Sequence, residues 1–242
     1  MKKQFWYFIF LLFYIGTLPV QGKITLPAIL SDNMVLQQKA QVRFWGKARP
    51  GEKVTVSTSW DKNIYTVQTP TDGHWEVKIK TPGVMDNQTL TVKGENTITI
   101  HNILIGEVWL CTGQSNMEFP VARDPNVKWK TGILNETEEM KDADYPSIRL
   151  FHVEHQLAPE GEKEDCIGRW LVCTPENVKE FSAVGFIFGR KLYKELQMPV
   201  GLIQSTWGGT HAESWTERRV MKDNPLYADV MEEFAPQNVK RE

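Results

Sequence analysis

The sequence predicts a β-sandwich domain followed by an α/β domain built on a parallel sheet, the second incomplete toward its C-terminal end. Three observations predict it. Short period-two stretches between Pro and Gly turns fill residues 23–104. After Gly106 the order becomes buried strand, glycine turn, helix, buried strand, glycine turn. Doubly wound sheets need several βαβ units of about 30 residues or more each, and the chain holds only the first of them.

Lys2 and Lys3 precede an apolar stretch from Phe5 to Leu18, short for a membrane span and suited to a signal peptide at residues 1–22, with an uncleaved anchor helix as the alternative reading. Val20 and Gly22 supply small residues before a cleavage point at Lys23. No Cys follows it, so a lipid anchor is not expected. The mature chain is expected to be exported, to periplasm or medium, with no stable membrane span after cleavage. Val42–Trp45, Val54–Ser57, Trp75–Ile79 and Ile98–His101 then alternate as half-buried strands, punctuated by Pro50-Gly51, Asp72-Gly73 and Pro82-Gly83. The boundary between the domains, 23–104 and 105–242, is expected at Ile103 to Glu107. Val108–Cys111 reads as a buried strand entering the turn Thr112–Met117, and Ile148–Phe151 as another strand. From Glu180 to Leu196, Phe181, Val184, Phe188, Leu192 and Leu196 recur at helical spacing until Pro199 stops the helix. Val200–Ile203 is the next buried strand, and Trp207–Thr210 turns toward a further helix.

With 28 basic and 30 acidic residues the net charge is -2, and no basic excess draws the chain to nucleic acid. The 9 Trp and 11 Phe suit either a core or surfaces that stack on sugars. Export permits disulfides. Cys111 reads as a buried thiol; Cys166 and Cys173 are close enough to pair, although sequence leaves that open. No CxxC pair or Cys/His cluster appears, so structural zinc is not expected.

Two turns could carry chemistry. Ser115 follows a buried strand and is flanked by Gly113 and Asn116, where α/β folds hold reactive groups; it is either a nucleophile beside main-chain N–H donors or a helix cap. Met117 replaces the second glycine of GxSxG, so this is not a nucleophile elbow. Trp207-Gly208-Gly209-Thr210 either lets backbone N–H groups approach an anion or simply links strand to helix.

Together, Val108-Trp109-Leu110-Cys111-Thr112-Gly113-Gln114-Ser115-Asn116-Met117 and the segment from Trp170 to Trp215 resemble the bacterial sialate O-acetylesterases of the SGNH hydrolase superfamily. The second segment includes Cys173-Thr174-Pro175-Glu176, Phe188-Gly189-Arg190 and Gly201-Leu202-Ile203-Gln204-Ser205-Thr206-Trp207-Gly208-Gly209-Thr210. The resemblance implies a three-layer α/β/α domain preceded by a β-sandwich accessory domain. It implies Ser115 as nucleophile on an O-acetyl ester, with its own N–H and that of Gly208 or Gly209, Gly209 preferred, as the oxyanion hole. Acetate and the de-acetylated sugar would form through an acetyl-enzyme, with no metal or organic cofactor. Gln114, Asn116, Trp207, His211 and Glu213 are the weaker substrate-binding candidates, and Trp215 belongs with them. His211 stands where the family pattern has proline.

In that family a histidine in an Asp-x-x-His block takes the serine proton, and a Gln-Gly-Glu stretch adds to the site; this sequence contains neither. His74 and His101 belong to the sandwich strands, His152 and His155 would fall on opposite faces of a continuing strand, and His211 has nothing to support it as a base. The chain is therefore expected to be the amino-terminal portion of a longer esterase and to hydrolyse weakly or not at all, since losing a triad member can cost about 10⁶ in turnover. The expected partner is an O-acetylated sialic acid or another acetylated glycan such as acetylxylan. A basic contact, with Arg123 as candidate, would favour the sialate carboxylate. A non-catalytic glycan-binding protein is the competing reading, to be supported by exposed Trp60 or Trp75.

Overall fold

The computed structural model describes residues 23–158 and 161–233. The expected signal peptide lies outside them. Ten strands run in order: β1 (Val35–Gln37), β2 (Gln41–Lys47), β3 (Lys53–Thr58), β4 (Ile64–Gln68), β5 (His74–Lys80), β6 (Met85–Lys93), β7 (Thr97–Gly113), β8 (Tyr145–His152), β9 (Trp170–Cys173) and β10 (Val200–Thr206). The helices that bear on the site are α1 (Ser115–Glu118), α2 (Glu136–Lys141) and α3 (Ala183–Leu196).

Period-two alternation dictates the first strands. In β5, Trp75, Val77 and Ile79 point into the core while the residues between them face solvent. The turns use residues that tolerate positive φ: Gly51 at 79° and Gly73 at 80°, with Asp72 Oδ1 accepting from the His74 N–H at 3.0 Å. The β2–β5 ladder faces the larger sheet across Phe44, Val54, Val56, Leu90, Val92 and Ile103.

That larger sheet runs β4-β3-β6-β7-β10-β8-β9, with β1 beside β7. The expected domain boundary falls inside β7, which continues without a linker from antiparallel pairing with β6 to parallel pairing with β10. Phe151 and Trp170, from the second half, belong to the core cluster of the first half, and the Trp170 Nε1–H donates to the Ile29 carbonyl at 2.8 Å. The result is one mixed sheet with helices. Nor is its second half wholly parallel, because β9 runs antiparallel to β8 at the edge.

Over Glu107–Gly113, β7 pairs with β10 on one side, and no strand among the described residues borders its other side. Leu110 is 62% exposed there, next to Trp109, whose ring meets Phe188 edge-on at 5.0 Å.

The helix begins at Ala183, not Glu180, because the Ser182 hydroxyl caps it by accepting from the Gly185 N–H at 3.0 Å. It ends at Gln197 in the left-handed conformation, two residues before Pro199. Its buried face is Ala183, Gly185, Phe186 and Gly189. The apolar row read from the sequence through Val184, Phe188 and Leu196 is instead substantially exposed. Gly189 explains the choice, since a Cβ there would lie 2.5 Å from Leu202, so the helix presses its smallest residues onto β10.

Two matters left open by the sequence are answered among the described residues. Trp75 is 1% exposed and offers no sugar-stacking face, whereas Trp60 is half-buried, packed against the same core with its Nε1–H on the Lys80 carbonyl. All three cysteines are free; burial pushes the Cys173 thiol up to about 12, and Cys166 and Cys173 are not bridged.

Candidate active site

The registers of β7, β10 and β8 assemble the site. Gly113 lies opposite Thr206, and Gln204 opposite His152, so the three parallel strands end nearly level. Their following turns emerge together at the carboxyl edge of the sheet, where open α/β sheets hold ligands. Ser115, Trp207–Thr210 and His155 come from these three exits.

Gly113 takes φ 142°, a conformation a Cβ disfavours, and the chain reverses into the single turn of α1. Ser115 opens that turn and is exposed. Its N–H has no acceptor among the described residues, nor does its hydroxyl have a partner. The second turn is tied to the first: the Trp207 N–H donates to the Gly113 carbonyl at 3.0 Å, and Gln114 Nε2 donates to the Thr210 carbonyl at 3.3 Å. A methyl group added to Gly208 would lie 3.4 Å from Ser115 Oγ. The hydroxyl therefore lies close to Gly208, the first of the two glycines in that turn.

Glu118 organises this contact, and nothing in the sequence reading singled it out. It is 7% exposed, on α1 three residues after Ser115, and its carboxylate accepts from the Gly208 N–H. Of the two glycine N–H groups expected as alternatives, that of Gly208 is thus engaged. Gly209, at φ 80° with open space around its Cα, is the glycine whose N–H has no acceptor among the described residues. The other Glu118 oxygen lies 3.5 Å from His155 Nε2, which donates to the Thr206 carbonyl at 2.7 Å. The His155 ring stacks flat on Trp207, centroids 4.2 Å apart and planes 3° from parallel.

The remaining candidates scatter. Asn116 borders Ser115 in a shallow cleft with Met117 and Val184. Trp207–Thr210 leads into a single 3₁₀ turn, Ala212–Trp215, instead of a regular helix. His211 is exposed at the start of that turn with no side-chain bond among the described residues. Glu213 lines a different cleft, with Arg218 and Met221. Arg123 is exposed and lines neither cleft; its main-chain N–H donates to Glu136 at 2.7 Å. Among the described residues no three His, Cys, Asp or Glu side chains converge as metal ligands, and no helix is long and apolar enough to cross a membrane.

His152, half-buried at the end of β8, titrates below its ordinary value of 6.5; burial is the main cause, reinforced by His155 and Lys130 and opposed by Glu180 and Glu118. The unfolded chain therefore takes up a proton first as pH falls. Stability should decline below about pH 6.5 and level off once folded His152 is also protonated. Denaturant midpoints at pH 7.5 and 5.5 should differ less in His152→Gln than in the wild type; an unchanged difference would remove His152 from the account.

A serine hydroxyl thus lies at the carboxyl edge of the sheet close to Gly208, with the Gly209 N–H unengaged among the described residues. Residues 105–240 match the carbohydrate esterase family described as sialic acid-specific acetylesterase, and the chain belongs to that family. The sialate O-acetylesterase of Pongo abelii is 38% identical over 214 residues, and that of Homo sapiens 37%, each alignment covering 80% of this chain and 39% of the relative. The crystal structure of a carbohydrate acetylesterase from Xanthomonas citri superposes with a TM-score of 0.73 at 30% identity, covering 84% of this chain and 44% of that one. These curated relatives are primate proteins and the structural neighbour is bacterial. The matched part of the chain spans less than half the length of each.

Proposed function

We propose that the protein is an exported carbohydrate esterase that removes O-acetyl groups from sialic acids. Ser115 Oγ attacks the acetyl carbonyl, and the resulting oxyanion accepts from the N–H groups of Ser115 and Gly209. Collapse breaks the ester C–O bond, the sugar hydroxyl leaves with a proton, and acetyl-Ser115 forms. Water then attacks that ester and releases acetate. The observation that supports this reading most is the proximity of Ser115 Oγ to Gly208, with the strands that carry them ending at a shared sheet edge. The strands before β7 serve as an accessory unit, and residues 1–22 as an export signal.

Proton transfer from Ser115 needs a base. His155 directs Nε2 to the Thr206 carbonyl, and no imidazole among the described residues is hydrogen-bonded to Ser115. Turnover by this chain alone is accordingly expected to be weak. The test measures acetate from O-acetylated N-acetylneuraminic acid and from acetylated xylan, with Ser115→Ala beside the wild type. Slow release favouring the sialate ester and lost in Ser115→Ala is the expected result. Release from xylan alone transfers the activity to plant glycans. Glycan binding that survives Ser115→Ala, with no acetate from the wild type, replaces the esterase with a binding protein.

A further inference from the structure

Beside the nucleophile turn lies a cleft of about 530 Å³, within the size range of small-ligand sites, that the acyl-transfer chemistry does not use. Its aromatic walls come from opposite ends of the chain. Trp45, on β2, is 36% exposed; Trp215, on the 3₁₀ turn, is 42% exposed; Trp207, stacked on His155, lines the same cleft. The cleft is anchored to the nucleophile turn through bonds already partly described. Trp215 Nε1–H donates to Thr210 Oγ1 at 2.9 Å, and the Thr210 carbonyl accepts from Gln114, the residue before Ser115.

The lining pairs these indoles with polar groups that lack protein partners. The side chains of Glu154, Gln156 and Lys163 reach the cleft without a hydrogen bond or ion pair among the described residues. A purely apolar ligand would bury those groups unpaired, at a cost of about 1–3 kcal/mol each. A purely polar one would leave the indole faces wet. Pyranose rings meet both demands, with C–H faces for the tryptophans and hydroxyls for the amide, carboxylate and ammonium. Charge narrows the choice. Lys47 neutralises Glu164, while Glu154 and Asp165 outnumber Lys163, so the lining carries net negative charge and repels an anionic sugar.

The geometry points to a subsite for a neutral pyranose, the sugar next to the acetylated residue in the glycan, held between Trp45 of the N-terminal strands and Trp215 of the catalytic half. The inference rests on the esterase reading for its place in the substrate, but its test does not require turnover. Lactose and xylotriose are titrated into the full chain by calorimetry, with free N-acetylneuraminic acid as the anionic comparison. Saturable binding of at least one neutral saccharide is expected, together with much weaker binding of the acid. Trp45→Ala and Trp215→Ala should each weaken it about tenfold or more, and Trp45→Phe should recover most of the loss at that position. Absence of saturable neutral-sugar binding to the wild type overturns the subsite. So does binding that is unchanged in both alanine variants, or lost only at Trp215, which would remove β2 from it. Failure of acetate release in the separate assay would leave this titration unaffected, so the two outcomes are distinguishable.

Discussion

Glu118→Ala should slow acetyl transfer at Ser115 by about 10²–10³-fold, the size of effect seen when one oxyanion donor is removed. Its carboxylate holds the Gly208 N–H and so fixes the height of the glycine turn against Ser115. With alanine, that N–H loses its buried acceptor, the turn relaxes, and the adjacent Gly209 N–H no longer points where charge develops. Stability should also fall, by about 1–3 kcal/mol for the orphaned donor. Glu118→Gln separates these effects, because its amide oxygen can still accept from Gly208. Hydrolysis of p-nitrophenyl acetate checks both variants: kcat should drop with KM little changed in the alanine variant, and the glutamine variant should recover most of kcat. Equal kcat in all three proteins would show that Glu118 positions nothing used in the reaction.

Trp75→Ala should cost about 3–5 kcal/mol of unfolding free energy. The ring is fully enclosed, 6.2 Å from the Phe44 centroid, and its edge presses on Gly46, where an added Cβ would lie 2.8 Å from Cζ2. Partial collapse cannot fill such a space, because the β2–β5 ladder on one side and β3–β6 on the other are each held by their own hydrogen bonds. Its buried Nε1–H has no acceptor among the described residues, so the loss is one of packing, and Trp75→Phe should cost less than alanine. Guanidinium titrations read both variants: midpoints should shift down with an unchanged slope. A shift below about 1 kcal/mol for alanine would contradict the enclosed position.

Local order was the legible part. The strands around Val42–Trp45, Val54–Ser57, Trp75–Ile79 and Val200–Ile203, and the reversal after Gly113, follow from alternation, apolar runs and glycine, all of which act between near neighbours. The boundary at Ile103–Glu107 was read from a change of pattern, but a strand can change partners without a break, and β7 does. On α3 the apolar row and the small-residue row both recur at helical spacing; only the presence of Leu202 across the interface selects Gly189. Trp60 and Trp75 look alike in composition, and their burial depends on the opposing sheet. For the site, Ser115 and the glycine turn were visible because each is a local irregularity. Glu118 and His155 were not, because their meaning comes from Gly208 and Thr206, 90 and 51 residues away in sequence.

The bare flank of β7 places a second property beside the chemistry. Beyond Val108, whose N–H donates to Gln37 Oε1 at 3.0 Å, the outward amides and carbonyls up to Gly113 face no neighbouring strand among the described residues, and Leu110 and Trp109 make that margin oily. Solubility and the proposed catalysis thus share a border: any polypeptide that lies along this flank, adding itself as the next strand, arrives within a few residues of Ser115, the proposed nucleophile.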